Sequence, residues 1–210
     1  MRLKSLTAIL AVAMMVVCLS GCTKSGGASS NADAHIVENA AVAYGMKFMD
    51  FNDVMSLMNE YDNEGAGYYV SKNVVDAQGI FLQMTNIGKE LSGNITDVTF
   101  AAANENLGSG NFVTDTYQFT FTDADSARKY YNYMSMYYQD LNGKIENGEK
   151  DGFTYTIAYF GGSTIIMREG LYLKGNTFIF VKANSLEDSK TGFSAVVFDK
   201  LGLVDPVTLK

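Results

Sequence analysis

Cysteine and histidine supply most nucleophiles and soft metal ligands in proteins, and this chain of 210 residues has few of either. The cysteines are Cys18 and Cys22, and the single histidine is His35. Disulfides and thiol nucleophiles need cysteines in the folded part of a protein, and a serine triad or a zinc or copper site needs a histidine held rigidly. We expect all three residues to lie in N-terminal segments outside the folded domain, so the sequence argues against these chemistries.

Cys22 ends a segment that has the organisation of a secretory signal. Arg2 and Lys4 precede an apolar run over residues 6–19, which is shorter than the roughly 20 apolar residues of a membrane-spanning helix. The segment closes with the tetrad Leu19-Ser20-Gly21-Cys22. This tetrad resembles the lipobox of bacterial lipoproteins, and the resemblance covers only the first 22 residues. It implies cleavage before Cys22 and thioether attachment of diacylglycerol, with acyl chains such as palmitate.

Lipid attachment would fix where the protein acts. Two or three acyl chains anchor a protein stably, whereas one chain is marginal. The resemblance therefore implies a lipid-anchored protein on the extracytoplasmic face of a cell membrane. Thr23 stands where an aspartate would resemble an inner-membrane retention signal, so a Gram-negative host would imply the outer membrane. The alternative is an ordinary secretory signal, or an uncleaved anchor, in which Cys22 is incidental.

The chain is acidic, with a net charge of −7, and loss of residues 1–21 would take the net charge to −9 because only Arg2 and Lys4 are removed. An acidic chain without a basic run argues against binding nucleic acid, or anionic lipid through the protein's own surface. The expected partners are therefore the membrane, reached through Cys22, and an unknown ligand or protein of the cell envelope.

Composition divides the chain into three parts. Residues 1–21 are the expected signal peptide, residues 22–40 a flexible polar tether that contains His35, and residues 41–210 a single domain. Hydrophobic periodicity within the domain predicts helices at about 41–61, 73–91, 125–141 and 186–201. It predicts strands at about 68–71, 97–103, 112–121, 153–160, 164–173 and 176–183.

Helices in this order alternate with hairpins rather than with single strands. That order favours an α+β fold, with an antiparallel sheet and helices packed on one face, as in a ferredoxin-like two-layer sandwich. The alternative is a curved sheet around a helix. Several residues of the second and third predicted helices recur at a spacing of 50, which indicates a repeated strand-helix unit unless strand-helix junctions simply favour the same residue types.

The third predicted helix carries five tyrosines within nine residues. On a helical wheel Tyr130 and Tyr137 face the core, Tyr131 and Tyr138 lie at its edge, and Tyr133 points away. Tyrosine has a flat apolar ring and a polar tip, so Tyr131, Tyr133 and Tyr138 are candidates for binding sugars or peptides. The structural alternative is a helix that packs broadly on the sheet and places its hydroxyl groups at the rim.

The remaining candidates favour structure over chemistry. Four methionines in the first predicted helix are better suited to core packing than to copper binding, because no histidine or cysteine accompanies them; they are Met46, Met49, Met55 and Met58. The acidic stretches 62–65 and 146–152 lack the spacing of calcium loops and are expected to be solvated turns. No metal site, cofactor or catalytic residue is predicted.

The leading hypothesis is a membrane-anchored envelope lipoprotein whose domain binds a ligand or partner without catalysis. One alternative is a hydrolase of glycan or cell-wall material that uses carboxylates, since acidic residues are plentiful. Another is an accessory subunit of an envelope complex.

The lipobox resemblance predicts that Cys22→Ala releases the protein from the membrane fraction. The variant loses the thioether and therefore its acyl anchor. Cell fractionation followed by detergent partitioning measures the effect, with Cys18→Ala as the control that keeps the anchor. Equal membrane retention of both variants would contradict the resemblance.

Overall fold

A computed structural model describes residues 35–59, 64–71, 73–106, 111–139, 143–161, 166–185 and 192–209. The predicted signal peptide, Cys22 and nearly all of the predicted tether lie outside these ranges. Among the helices that are described, none has the length and apolar character to cross a membrane.

Five helices and eight strands make up the described chain. The helices are α1 Ile36–Tyr44, α2 Phe51–Asn59, α3 Val74–Met84, α4 Ala124–Gln139 and α5 Gly192–Lys200. The strands are β1 Lys47–Phe48, β2 Gly65–Val70, β3 Ile95–Asn106, β4 Asn111–Phe121, β5 Lys144–Lys150, β6 Phe153–Gly161, β7 Ile166–Lys174 and β8 Thr177–Ser185. Two 3₁₀ segments are Lys89–Asn94 and Pro206–Leu209.

All eight strands join one open sheet in the order β1-β2-β3-β4-β8-β7-β6-β5. Every neighbouring pair is antiparallel except β1 with β2. The predicted mixed fold with an antiparallel sheet is confirmed in this broad form, and the sheet is not closed into a barrel. The central contact is β4 against β8, two strands that are far apart in the sequence.

Helices cover both faces of the sheet, so the expectation that they pack on one face is wrong. Successive side chains of a strand point to opposite faces. On β8, Ile179 and Val181 pack with α1 and α5, whereas Phe178 packs on the opposite side with α3 and α4. We call these sides the α1–α5 face and the α2–α4 face; α2 packs on the latter through Val54. Buried side chains lie on both sides of the central strands, and therefore both sides need cover.

The predicted helix over residues 41–61 is also wrong, because the chain forms α1, β1 and α2 there. Gly45 ends α1 in the left-handed conformation, with φ at 91°, which favours glycine. Helix α1 begins at Ile36, with Val37 and Ala40 buried, so the folded domain starts before residue 41. His35 lies at the start of this helix, with Nδ1 3.1 Å from Glu38, rather than within a free tether.

Strand β5 occupies most of the acidic stretch 146–152, for which the sequence predicted a solvated turn. Asp151 and Gly152 turn the chain into β6 with φ at 52° and 82°, the positive values of a tight hairpin turn. Four of the seven residues of β5 are charged, a common way to protect an edge strand from pairing with another chain. The two helices of the proposed repeat, α3 and α4, both pack on the α2–α4 face. A duplication of the strand-helix unit stays a prediction.

The C-terminal segment is fixed to the α1–α5 face by a buried arginine. Arg168 is 1% exposed, and its guanidinium donates to Ser194 Oγ at 3.1 Å and to Asp205 Oδ1 at 3.5 Å. The Tyr172 hydroxyl donates to the Val204 carbonyl at 2.6 Å. A buried guanidinium is costly unless paired, so these contacts couple the C-terminal segment to the sheet.

We predict that Asp205→Ala lowers the free energy of unfolding by about 2–4 kcal/mol, because it leaves the Arg168 guanidinium without its carboxylate. Asp199→Ala, at an exposed position of α5, is the matched control and should change it by less than about 0.5 kcal/mol. Urea denaturation followed by circular dichroism measures both. Equal, small effects would contradict the coupling.

Candidate functional site

Two stacked rings form a partly uncovered strip at the centre of the α2–α4 face. Tyr117 on β4 and Phe180 on β8 are register partners, with ring centroids 5.5 Å apart and planes 12° from parallel. Both are partly buried, whereas the next pair along the strands, Phe119 and Phe178, is fully covered. Aromatic side chains that remain partly exposed on a covered sheet face offer a flat apolar surface to a ligand.

A cavity of about 80 Å³ lies over this strip. It is lined by Met84, Thr85, Tyr117, Phe119, Tyr130, Met134, Phe178 and Phe180. Met84 closes it from α3 and Met134 from α4, while the Tyr130 hydroxyl donates to Thr85 Oγ1 at 3.2 Å. Methionine adapts readily to different shapes and is common at binding surfaces. We refer to this cavity and its aromatic floor as the cleft.

A row of charged residues crosses the sheet beside the cleft. Asp115 on β4 pairs in register with Lys182 on β8, which pairs with Glu169 on β7. Asp115 is two residues from Tyr117, so it lies on the same face at about 7 Å along the strand. The Tyr138 hydroxyl of α4 donates to the Glu169 carboxylate. We call these four residues the charged row.

Asp115 lacks a donor for one carboxylate oxygen. Its side chain is 6% exposed, and Oδ1 has no hydrogen-bond partner among the described residues. Burial raises the pKa of Asp115 to about 7, although the charge of Lys182 acts in the opposite direction. Asn184, one row further along β8 on the same face, also has a buried Oδ1 for which the described chain offers no donor. Buried acceptors without donors are costly, so the sheet beside the cleft, next to Tyr117 and Phe180, has unmet hydrogen-bonding capacity.

Glu169 is the second carboxyl group of the charged row. Burial raises its pKa, while the hydrogen bond from Tyr138 and the charge of Lys182 lower it. Burial raises the pKa of Tyr138 as well, and the neighbouring Glu169 adds to that effect, so the phenol remains a donor at neutral pH. Glu169 is therefore satisfied within the protein in a way that Asp115 is not.

The three tyrosines proposed as ligand-binding residues do not converge on one surface. Tyr131 is buried and its hydroxyl lies 2.8 Å from Thr156 Oγ1, while Tyr138 belongs to the charged row. Tyr133 is partly buried, and the Lys129 ammonium lies 5.7 Å from its ring centre. Ligand binding by these residues stays a prediction, but the expected edge position of Tyr131 and Tyr138 is wrong because both are buried.

The inward side of α4 differs from the one predicted on the helical wheel. Tyr130 is buried, as expected, but Tyr137 is 56% exposed and Tyr138 is buried in its place. Two spacings of apolar residues fit this helix, and the fixed position of Glu169 on β7 selects the one that includes Tyr138. Sequence spacing alone does not supply that choice.

Sequence reasoning also missed the charged row, although a signal for it was present. Along β4 the face that carries Val113, Tyr117 and Phe119 includes Asp115. Along β8 the face of Phe178 and Phe180 continues to Lys182. A charged residue in phase with an apolar strand face is unusual, because burial of an unpaired charge is unfavourable. Such residues are candidates for function.

A larger groove, of about 530 Å³, lies on the α1–α5 face beside α5. Its polar lining includes Lys150, Asp199, Lys200 and Asp205. Asp205 is already paired with Arg168, and the other three are exposed on the surface. The groove therefore has volume but no buried group in need of a ligand, and the cleft is the stronger candidate.

The predicted methionine packing is seen where side chains are described. Met46 is buried on the α1–α5 face, and Met49 and Met55 pack against the cluster of Val54 on the other face. Met58 has no described side chain. In the described residues, no group of three histidines, cysteines or carboxylates is placed to hold a metal ion.

Comparison with known proteins adds little to this geometry. No protein-family model matches the chain. No curated protein matches it either. Among solved structures, the extracellular domain of PknH from Mycobacterium tuberculosis aligns with a TM-score of 0.41 and 12% identity, over 79% of this chain and 96% of that one. A likeness at this level carries no argument about function.

The raised pKa of Asp115 predicts that the protein loses stability as pH rises. Between the unfolded value near 4 and the folded value of about 7, the native state holds a proton that the unfolded state has released. The stability gained from Asp115 is thus complete below about pH 4 and lost as pH rises through 7. Relative to Asp115→Asn, the native protein should lose a few kcal/mol between pH 4 and pH 8.

Urea denaturation at a series of pH values measures this difference. Asp125→Asn, which changes an exposed carboxylate in the first turn of α4, is the control and should follow the native protein. A pH dependence that is the same in native protein and Asp115→Asn would contradict the assignment of an unpartnered Asp115.

Proposed function

We propose that this protein is a lipid-anchored envelope protein whose domain binds a ligand in the cleft without catalysis. The observation that carries the proposal is the pairing of a partly uncovered aromatic floor, Tyr117 and Phe180, with a buried Asp115 oxygen that lacks a donor. Protein cores rarely contain both features together, whereas binding sites combine apolar walls with a few polar groups that fix orientation.

The size of the cleft limits what enters it. About 80 Å³ is below the roughly 300–1,000 Å³ of pockets that enclose a drug-sized ligand, so the closed cleft takes one small apolar group. Met84 and Met134 can change rotamer to admit a larger group, because the methionine side chain is unbranched and flexible. The ligand is therefore one that presents an apolar group, either as a small molecule or as a side chain of a partner.

The envelope location in this proposal depends on the N-terminal tetrad, Leu19 to Cys22, and its resemblance to a lipobox. With α1 starting at Ile36, residues 23–35 would separate the lipidated Cys22 from the domain. Extended, such a linker reaches about 40–45 Å. The ligand would then be found outside the cytoplasm and within that distance of the membrane.

A carboxylate-based hydrolase is the second candidate, and one observation favours it. Asp115 and Glu169 lie two strands apart on one face, about 9–10 Å between their Cα atoms by strand spacing, and burial raises the pKa of both. Inverting glycosidases use carboxyl pairs roughly 6.5–9.5 Å apart. Lys182 lies between the two here, where a substrate bond would have to lie, so binding is the better supported function.

Methyl NMR with the methionines labelled at Cε tests the proposed cleft, with 2-phenylethanol as the probe. We expect the Met84 and Met134 methyl signals to shift, because these side chains line the cavity. The Met136 methyl, on the exposed side of α4, and the Met46 methyl, on the opposite sheet face, should not shift. Phe180→Ala should weaken probe binding at least about tenfold, since a buried aromatic ring contributes more than 1.4 kcal/mol.

Tyr137→Ala removes an exposed ring from the other side of α4 and is the matched control. It should leave the affinity for 2-phenylethanol unchanged. Shifts confined to Met136 or Met46, or equal affinity of Phe180→Ala and native protein, would place binding elsewhere and contradict the proposed function.

A further inference from the structure

Two acceptors beside the cleft indicate the kind of ligand group that would bind there. Asp115 Oδ1 and Asn184 Oδ1 are both buried and have no donor among the described residues. They lie on the same face of neighbouring strands as diagonal neighbours, at a separation that one small group can bridge. Two neighbouring acceptors without donors suit a ligand group with several hydrogen-bond donors and no acceptor, which describes an ammonium group.

The charges of the charged row also favour an ammonium group. When ionised, Asp115 and Glu169 carry two negative charges against the single positive charge of Lys182, which leaves one negative charge uncompensated on this face. Lys182 forms no direct ion pair with Asp115 in the described structure and acts on it through space. Glu169 already accepts a hydrogen bond from Tyr138. A single bound cation beside Asp115 would balance the charge.

The adjacent aromatic rings indicate where the apolar part of the ligand would lie. Tyr117 lies between Asp115 and Phe119 on one face of β4. Residues on one face of a strand are about 7 Å apart, so a ligand whose apolar group lies on Tyr117 and Phe180 can place its other end at the Asp115 carboxylate. Stacked aromatic faces also attract cations through their ring quadrupoles. Both properties suit a molecule with a ring or short alkyl group joined by a few atoms to a protonated amine.

We infer that the cleft, if it binds a ligand as proposed above, selects an organic amine whose ammonium group pairs with Asp115 and Asn184 and whose apolar group lies on Tyr117 and Phe180. The inference depends on the proposed function and adds the chemical class of the ligand. It distinguishes an amine from a neutral molecule of the same shape.

Binding of the amine depends on pH because Asp115 must be ionised to pair with it. The titratable groups that face Asp115 are Lys182 on β8, Glu169 on β7, Tyr117 on β4 and, through Glu169, Tyr138 on α4. Burial raises the pKa of both tyrosines, which therefore stay protonated between pH 5.5 and 8. Affinity for an amine should thus rise across this range, as the Asp115 carboxyl group loses its proton.

The test compares 2-phenylethylamine with 2-phenylethanol, its neutral isostere, by the same methionine methyl shifts. At pH 8 the native protein should bind the amine at least about tenfold more tightly than the alcohol, as expected for a charge-assisted hydrogen bond in a buried site. Asp115→Asn should abolish this preference and still bind the alcohol, which shows that the variant is folded. Asp125→Asn should keep the preference.

The possible outcomes separate the two claims. Equal or weaker binding of the amine to native protein, with Met84 and Met134 shifts from the alcohol, would overturn the inference and leave the proposed cleft intact. An amine preference that survives in Asp115→Asn would overturn the role of Asp115. Absence of Met84 and Met134 shifts with either probe would overturn the proposed function itself.

Discussion

An eight-stranded sheet with buried side chains on both faces must be covered on both, and five short helices meet that requirement unevenly. On the α2–α4 face, α2 and α3 lie over β2 and β3, while α4 lies over β4, β8 and β7. Phe119 and Phe178 are buried under this layer, and Tyr117 and Phe180 are covered only in part. The cleft is therefore a consequence of how far the helices reach across the sheet.

The pairing of β4 with β8 places polar and aromatic side chains next to each other where the helices leave the sheet partly uncovered. It places Asp115 beside Lys182 and Tyr117 beside Phe180 in successive rows of one face. Because the rows are about 7 Å apart, an apolar surface and a carboxylate lie within the length of a small amine. The opposite face carries the buried Arg168, which is paired with Asp205 and Ser194. The buried arginine has polar partners within the chain, whereas Asp115 Oδ1 finds none among the described residues.

Local patterns in the sequence were sufficient for much of the fold. Strands β3 and β4 and strands β6 to β8 have strong two-residue periodicity or glycine-containing turns, and α4 has a clear start at Asp123, whose carboxylate accepts from the Ser126 N–H at 2.7 Å. The break between α1 and α2 was missed because the apolar spacing continues across Gly45. Strand β5 was missed because its charged edge has the composition of a loop.

The candidate site could not be predicted in the same way. It depends on which strands are neighbours, and β4 and β8 are joined by non-local pairing that no local pattern encodes. The sequence drew attention instead to the tyrosines of α4, of which Tyr138 alone belongs to the charged row. The sequence shows Asp115 and Lys182 separately, each as a charged residue at a position where its strand face is otherwise apolar. Only the order of strands in the sheet brings the two residues together.

The central claim is that Asp115 is a buried carboxyl group whose missing partner is supplied by a ligand. Carbon-13 NMR of the Asp115 carboxyl carbon as a function of pH measures its ionisation directly, first in the free protein and then with saturating 2-phenylethylamine. The structure predicts a pKa of about 7 in the free protein, lowered when the amine is bound. A pKa near 4 in the free protein would show that Asp115 already has a solvated or paired environment, and would contradict the account.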